Sequence, residues 1–290
     1  MKIETLFSKK QVFSFEIFPP KKDSSIDTIY STLDGLGELK PDFISVTFGA
    51  GGSVANNKTC EIASVIKEKY GIESAAHLTC INFNKEEVTR VLDDLEEKGI
   101  ENILALRGDK NPDIEPKNDF AHASDLISFI NSGNHNFDIA GACYPEGHPN
   151  SQTIDEDIDN LKIKVNAGAR HLISQLFLDN SMFYDFMDKA RAKGINVPVE
   201  AGIMPANNKK QIERMVTMCG ASLPSKFAKM LNKYEYNPEA RRDAGIAYAV
   251  DQIADLLSQN VDGVHLYTMN NPYIAKKITD SVSSLITYKQ

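Results

Sequence analysis

The sequence has few cysteines and no paired cysteine motif. Its four cysteines are far apart and form no CxxC, at positions Cys60, Cys80, Cys143 and Cys219. Such spacing argues against a disulfide framework or a structural zinc site. We therefore expect a reduced, cytoplasmic protein.

Long apolar runs and an excess of basic residues are also missing. No stretch reaches the roughly 18 apolar residues that cross a bilayer, and the opening MKIETLFSKKQ lacks the apolar core of a signal peptide. The net charge of -8 and the pI of about 5.3 argue against a surface that binds nucleic acid. We expect neither a membrane nor a nucleic acid as a partner.

Several motifs that would mark other enzyme classes are absent. In GAGGSV, residues 49–54, Val54 stands where the third glycine of a GxGxxG dinucleotide fingerprint would be. There is no GxxxxGK[ST] phosphate loop and no HxH or HExxH metal spacing. The predicted strands contain no lysine, which argues against a barrel aldolase that forms a Schiff base.

What the sequence does have is a regular alternation of short β-branched or aromatic runs with longer helical stretches. Residues 84–98 and 151–168 show the apolar spacing of amphipathic helices. The longer segment 220–262 predicts an extra short helix in PSKFAKMLNKY, before a helix that begins near Pro238. The predicted strands are 11–18, 42–49, 73–80, 102–108, 138–145, 171–178, 198–205 and 263–269.

Eight such repeats without a linker predict an α/β fold, a single (β/α)8 TIM barrel. We expect residues 1–290 to form this one catalytic domain. An open, doubly wound sheet is the alternative.

Polar residues fall at the carboxyl ends of most predicted strands, where active sites of such barrels lie. One of them is Glu16, in the otherwise apolar run VFSFEIFPP. Any one of these polar residues alone could be a core residue with its hydrogen bonds made inside the protein, but together they predict a common pocket. The set is Glu16, Thr47, His77, Arg107, Asp109, Tyr144, His148, Gln175 and Tyr267.

These residues leave more than one chemistry open. Glu16 and Asp109 could divide acid and electrostatic roles, and Arg107 beside Gly108 suits a phosphate-bearing cofactor. A metal-dependent lyase or hydrolase would have to gather its ligands from His77, His265, Glu16, Asp109 and Glu200, without a recognised ligand spacing.

Seven motifs together give the chain a family resemblance. They are FSFEIFPP, SVTFGAGGS, AHLTC, LALRGD, YPEGHP, SQLFLD and GIMP, in that order. This order resembles the methylenetetrahydrofolate reductases, and specifically the short bacterial form with the catalytic barrel only. The resemblance implies FAD at the barrel mouth, NADH or NADPH as the reductant, and 5,10-methylenetetrahydrofolate as the substrate that follows it into the same site by a ping-pong route.

The resemblance also implies roles for individual residues. Glu16 matches the general acid, which burial should keep protonated near neutral pH, and Asp109 matches the aspartate that stabilises the developing cation. Thr47, Gln175, Gln211 and Met215 match contacts to substrate or nicotinamide. The matching FAD positions are Phe48, Ala50, His77, Arg107, Gly108, Asp109, His122, Ala123, Tyr144, His148, Asp157, Asn160 and Lys164.

Three positions depart from the pattern of some relatives. His122 replaces a tyrosine beside the flavin, Met215 replaces a phenylalanine packed on the folate, and Asn271 replaces an arginine near the folate glutamate. We interpret them as tuning affinity. Relatives are often homo-oligomers, which we expect here by analogy. An electron-donor partner protein instead of a free nicotinamide, or folate binding without turnover, are the remaining alternatives.

Overall fold

A computed structural model describes residues 1–20, 26–48, 58–109, 117–206 and 208–287, without the side chains of Lys209 and Gln211. Within these ranges eight parallel strands close into a barrel in the order β1 to β8, each paired with its neighbours and β8 paired with β1. The strands are β1 Val12–Ile17, β2 Phe43–Val46, β3 Glu73–Thr79, β4 Asn102–Leu106, β5 Asp138–Cys143, β6 His171–Ser174, β7 Val199–Ile203 and β8 Gly263–Tyr267.

Helices follow the strands around the outside of this barrel. They are α1 Asp27–Gly37, α2 Lys58–Tyr70, α3 Lys85–Glu97, α4 Ala123–Ser132, α5 Ile154–Asn166, α6 Asn180–Ala192, α7 Lys209–Cys219, α8 Ser225–Lys233, α9 Pro238–Ser258 and α10 Pro272–Ile286. The predicted TIM barrel is therefore confirmed, and the open sheet is excluded. The extra short helix before Pro238 is α8. No helix in the described part of the chain is long and apolar enough to cross a membrane.

Local sequence explains why the helices begin where they do. At α3 the amide of Glu87 donates to Asn84 Oδ1, and the amide of Asn84 donates back to the Glu87 carboxylate, both at 2.9 Å. This reciprocal pair satisfies two amides that the first turn leaves unbonded. At α5 the amide of Glu156 donates to the Thr153 hydroxyl at 3.1 Å.

Alternation along each strand divides the core into two layers. In β1, Phe13, Phe15 and Ile17 pack outward against the helices, in the largest apolar cluster. Val12 packs inward with a smaller cluster that also contains Ile3 from a 3-10 helix, Ile3–Leu6. That short helix covers the amino-terminal end of the barrel, so the carboxyl-terminal end is the open one.

The strands end earlier than the sequence predicts at several positions. The prediction for β6 was 171–178, whereas the strand ends at Ser174 and Gln175 begins the loop. The apolar run continues because Leu176 and Leu178 pack in a third cluster with Phe227 and Leu231 of α8. The apolar run therefore predicted too long a strand, because the loop after β6 is apolar where it packs against α8.

Candidate functional site

A cavity of about 700 Å³ opens at the carboxyl-terminal end of the barrel, and we call it the mouth cavity. Its lining comes from the ends of β1, β3, β4, β5, β6 and β8 and from the loops that follow all eight strands. Twelve predicted residues line it, namely Glu16, Thr47, Phe48, His77, Arg107, Gly108, Asp109, Tyr144, His148, Gln175, Met215 and Tyr267. The sequence-predicted common pocket is thus a single cavity.

Glu16 lies on the floor of the mouth cavity and is 8% exposed. Its backbone carbonyl accepts a hydrogen bond from the hydroxyl of Thr268, at 2.6 Å, which fixes β1 against the end of β8. Its Oε2 lies 3.6 Å from His77 Nε2 and 3.7 Å from His265 Nε2. The carboxyl therefore has one face toward the cavity and one toward two imidazoles.

His77 is buried beside Glu16 and is uncharged at neutral pH. Burial lowers the pKa of its imidazole to about 4, although the charge of Glu16 acts in the opposite direction. Its Nε2 lies 3.2 Å from the hydroxyl of Ser45, which also lies 3.3 Å from His265 Nε2. A neutral imidazole at this position can orient Glu16 without adding a positive charge to the floor.

The turn after β4 brings a cation, a bare backbone segment and a carboxylate to one wall. Gly108 has a φ of +84°, and a Cβ atom there would lie 2.9 Å from Thr79 Cβ. The carbonyl of Arg107 accepts from the amide of Ile81, at 2.9 Å, so the turn is fixed to the loop after β3. Glycine is required because the positive φ and the close approach both disfavour a side chain. Asp109 follows at the cavity wall.

The loop after β5 forms the adjacent wall. The rings of Tyr144 and His148 meet edge to face, with centroids 4.6 Å apart. Burial raises the pKa of Tyr144 to about 12, so its hydroxyl keeps its proton, and burial lowers the pKa of the His148 imidazole. Both rings lie close enough to Arg107 and Asp157 to feel their charges. This wall offers hydrogen-bond donors next to a guanidinium.

Gln175, in the loop after β6, and Tyr267 of β8 also line the mouth cavity. Gln175 is held in place because its amide donates to the carbonyl of Cys143, at 2.7 Å, and its Oε1 accepts from the amide of Leu176, at 2.8 Å. The Tyr267 hydroxyl donates to the carbonyl of Ser174, at 2.7 Å. The side-chain amide nitrogen of Gln175 is a candidate hydrogen-bond donor toward a ligand.

Five predicted cofactor residues lie outside the cavity lining, on α4 and α5. His122 is exposed just before α4, and its amide donates to Asp125 Oδ2 at 2.8 Å. Ala123 is half-buried and Asn160 is exposed. Asp157 is buried and accepts from the Ser151 hydroxyl, at 3.0 Å.

Lys164, the fifth of these residues, is already engaged within the protein. Its ammonium donates to the carbonyl of Ala142 at 2.5 Å, and its stem lies over Gly141 of β5. Burial lowers the pKa of this ammonium. It therefore contributes positive charge beneath the β5 wall, close to Asp157.

Three predicted residues need separate comment. Ala50 lies outside the described residues, and the side chain of Gln211 in α7 is likewise not described. Asn271, where some relatives have an arginine, caps α10, because its Oδ1 accepts from the amide of Ile274 at 3.2 Å. This structural role explains why an asparagine suits that position.

Sequence reasoning named His265 and Glu200 only as possible metal ligands, and it missed the buried polar group that they form with Ser14 and Ser45 beneath Glu16. The signal was present, because polar residues recur two apart on the inward face of β1, β2 and β8. Among the described residues no group of three histidine, cysteine, aspartate or glutamate side chains could hold a metal ion.

Comparison with known proteins connects this site to one family. A family model described as methylenetetrahydrofolate reductase matches residues 2–283. The 5,10-methylenetetrahydrofolate reductase of Pectobacterium carotovorum subsp. carotovorum is 38% identical over 265 residues, which cover 91% of this chain and 88% of that protein. The enzyme of the same name from Escherichia coli (strain K12) is 37% identical over 258 residues, covering 89% and 86%. Methylenetetrahydrofolate reductase (NADH) 1 of Arabidopsis thaliana is 36% identical, and the match covers 93% of this chain but 48% of that protein.

A solved structure with a related fold comes from Clostridium thermocellum. It is an uncharacterised protein described as binding two copies of 5-methyl-5,6,7,8-tetrahydrofolic acid, with a TM-score of 0.65 over 97% of both chains. Because the two sequences are only 14% identical, the likeness shows the barrel fold alone.

Proposed function

The chain belongs to the methylenetetrahydrofolate reductase family, and from that premise we propose that it reduces 5,10-methylenetetrahydrofolate to 5-methyltetrahydrofolate with electrons from NADH or NADPH, passed through bound FAD. The observation that carries the proposal is the nearly buried Glu16 carboxyl on the floor of a wide cavity. The NADH in the name of the Arabidopsis relative, and the methyltetrahydrofolate that the Clostridium thermocellum protein is described as binding, support this choice of substrates.

The mouth cavity fits a flavin dinucleotide. Its volume of about 700 Å³ lies within the range of small-molecule and cofactor sites. Asn82 lines it with a buried Oδ1 that has no hydrogen-bond partner in the described part of the chain, so an acceptor is available to a ligand N–H or O–H group. At Gly108 the backbone is bare, and Arg107 beside it supplies a cation.

We propose that thirteen residues hold the cofactor. Arg107, His148 and Lys164 supply positive charge or donors for the pyrophosphate and ribityl groups, and Asp157 accepts from a hydroxyl group. His122, Ala123 and Asn160 lie outside the cavity lining, where they would contact parts of the cofactor that extend beyond it. The full set is Phe48, Ala50, His77, Arg107, Gly108, Asp109, His122, Ala123, Tyr144, His148, Asp157, Asn160 and Lys164.

Glu16 acts as the general acid in this proposal. Its proton goes to the bridging nitrogen of the substrate as the carbon–nitrogen bond of the imidazolidine ring breaks, which leaves a 5-iminium cation. Asp109, from the opposite wall, stabilises that positive charge as a carboxylate. The flavin, when bound, supplies the hydride chemistry that completes the reduction.

Thr47, Gln175, Gln211 and Met215 orient the substrates. Thr47 and Gln175 lie in the same cavity as Glu16. Thr47 contacts the nicotinamide, and Gln175 contacts the nicotinamide and then the pterin. Because Gln175 would contact both molecules, the two substrates must occupy the site in turn. This is the physical basis for the ping-pong order.

The test begins with the purified single-chain protein. It should be yellow and release FAD on denaturation. Anaerobic addition of NADH or NADPH should bleach the flavin absorbance, and 5,10-methylenetetrahydrofolate should restore it with formation of 5-methyltetrahydrofolate. The ratio of bleaching rates with the two nicotinamides then identifies the physiological donor.

Two outcomes contradict the proposal. A colourless protein that carries stoichiometric metal would favour a metal-dependent lyase or hydrolase. Folate reduction with an artificial reductant, but with no bleaching by either nicotinamide, would show that a partner protein is the electron donor.

A further inference from the structure

A continuous set of buried side chains connects the floor of the mouth cavity to a second carboxyl deeper in the barrel. Ser14 Oγ lies within hydrogen-bond distance of Glu200 Oε1, at 2.6 Å. The Ser14 hydroxyl also lies 2.6 Å from His265 Nδ1. The other nitrogen of His265 lies 3.7 Å from Glu16 Oε2. We call Glu16, His265, Ser14 and Glu200 the buried relay.

Glu200 is an unusual residue for the inside of this barrel. It is 0% exposed, and its Oε2 has no hydrogen-bond partner among the described residues. A fully buried carboxylate without a cationic partner is costly, whereas a protonated carboxyl is not. The carboxyl of Glu200 is therefore in an environment that favours holding a proton.

The charges around Glu200 agree with this. Burial, the largest cause, raises the pKa of Glu200 to about 7, and the negative charges of Asp42 and Asp262 add to the shift. His265 and the Ser14 hydroxyl act in the opposite direction. A group with a pKa near neutrality can both release and regain a proton under physiological conditions.

Glu16 needs a proton source of this kind. Its side chain is 10% exposed and faces the mouth cavity. Bound folate would cover that face at the moment when Glu16 gives up its proton. Bulk water then has no direct access, so a proton that reaches Glu16 while the site is covered comes from inside the protein.

We propose that Glu200 stores a proton inside the barrel and restores the acid form of Glu16 through the buried relay. Glu200 is thus a positioning residue that acts through Glu16 and never touches the substrate. The inference rests on the proposed reductase function.

The proton movement balances along the relay. At the start the protonated carboxyl of Glu200 donates to Ser14, the Ser14 hydroxyl donates to His265 Nδ1, and the neutral imidazole of His265 carries its proton on Nε2. His265 then gives its Nε2 proton to the Glu16 carboxylate and takes a proton on Nδ1 from Ser14. The Ser14 hydroxyl is in turn restored by the carboxyl of Glu200. One proton leaves Glu200, one arrives at Glu16, and no electrons move.

Two details complete this sequence. The 3.7 Å gap between His265 and Glu16 is closed by rotation of the carboxylate or by one bridging water. The reverse movement returns a proton to Glu200 after the product leaves and solvent reaches Glu16 again.

The test compares the holoenzyme with Glu200→Gln, which keeps the shape and an acceptor for Ser14 but has no carboxyl proton. Stopped-flow absorbance follows the folate half-reaction and the nicotinamide half-reaction separately from pH 6 to pH 8.5. We expect the folate rate of the variant to fall about tenfold at pH 7.5, less than the roughly 10² to 10⁴ that a positioned acid contributes. Toward pH 6 the difference between the two proteins should shrink to about twofold, because bulk solvent then supplies protons more readily to both.

The nicotinamide half-reaction should be the same in both proteins at every pH. The matched control is Ser45→Ala, which removes a serine hydroxyl from the same two imidazoles but lies off the path to Glu200. Its folate pH profile should keep the wild-type shape.

An unchanged folate pH profile in Glu200→Gln would overturn the inference. Equal losses in both half-reactions, at all pH values, would also overturn it, because they would reveal a purely structural role. If Glu200→Gln does not fold, Ser14→Ala interrupts the relay while leaving both carboxyls, and the same shift is expected.

A second readout needs neither cofactor nor substrate. Infrared difference spectra of the protein, titrated from pH 6 to pH 8.5, should contain the C=O band of a protonated buried carboxyl that disappears in Glu200→Gln. Absence of that band in the wild-type protein contradicts the proton store, whether or not the enzyme reduces folate. A wild-type protein with the band but without folate reduction would refute the proposed function instead.

Discussion

The buried carboxyl of Glu200 makes a quantitative prediction about stability. Its pKa is raised from 4.5 to about 7 in the folded protein, chiefly by burial. The folded state therefore holds a proton that the unfolded state has lost between these two values. Stability from this proton is fully present below pH 4.5 and is lost as the pH rises through about 7.

The size of the effect follows from the shift. A shift of about 2.5 pH units corresponds to roughly 3 kcal/mol, at about 1.4 kcal/mol per unit. Glu200→Gln removes this cost of ionisation. Relative to wild type, the variant should therefore gain about 3 kcal/mol in unfolding free energy between pH 4.5 and pH 8.

The comparison must be made as a difference between the two proteins. Burial lowers the pKa values of His77 to about 4 and of His171 to about 3, so these groups make stability rise with pH over the same window. Their contributions are common to both proteins and cancel in the difference. The wild-type curve alone would hide the effect of Glu200.

The assay is urea unfolding followed by circular dichroism at half-unit steps of pH. Thermal melts serve as a check, because 3 kcal/mol shifts the midpoint by about 6 °C in a chain of this size. The exposed Glu97→Gln, at the end of α3, controls for the loss of one carboxyl. A wild-type-minus-variant difference that stays constant from pH 4.5 to pH 8 would refute the reasoning.

Three further predictions concern the site and its scaffold. Glu16→Gln should keep flavin bleaching by nicotinamide but lose about 10² to 10⁴ in the folate half-reaction, and normal turnover would remove it from the acid role. Gly108→Ala places a side chain at positive φ against Thr79, so we expect a loss of about 1 to 3 kcal/mol in stability and weaker FAD retention on gel filtration. In Gly245→Ala the new Cβ would overlap the carbonyl oxygen of Ala206, so thermal melts should show a loss of about 1 to 3 kcal/mol, and an unchanged midpoint would contradict that packing.

Much of the fold could be predicted because its signals are local. Strand positions followed from alternating apolar runs, and helix positions followed from apolar spacing, as in residues 84–98 and 151–168, where the structure has α3 and α5. The repeat count then predicted the closed barrel. Strand ends were less accurate, since the run after Ser174 is apolar for packing against α8 and not for a place in the sheet.

The residues of the candidate site could be predicted where they lie at the carboxyl ends of strands. Barrel closure brings the carboxyl ends of all strands to one mouth, which is why Glu16, Asp109 and Gln175 line the same cavity. The secondary roles of Asn271 and Lys164 were not predictable. Each depends on a backbone group, the Ile274 amide or the Ala142 carbonyl, that only the folded geometry brings within reach.

By itself, the sequence determined the strand and helix pattern, the family resemblance and the presence of one carboxyl in an apolar first strand. Only the tertiary structure decided that Ser14 and His265 connect Glu200 to Glu16. The reason is that β1, β7 and β8 are far apart along the chain and meet only when the sheet closes. Inward-facing side chains of those strands then share a dry interior, where their charges and protons interact strongly.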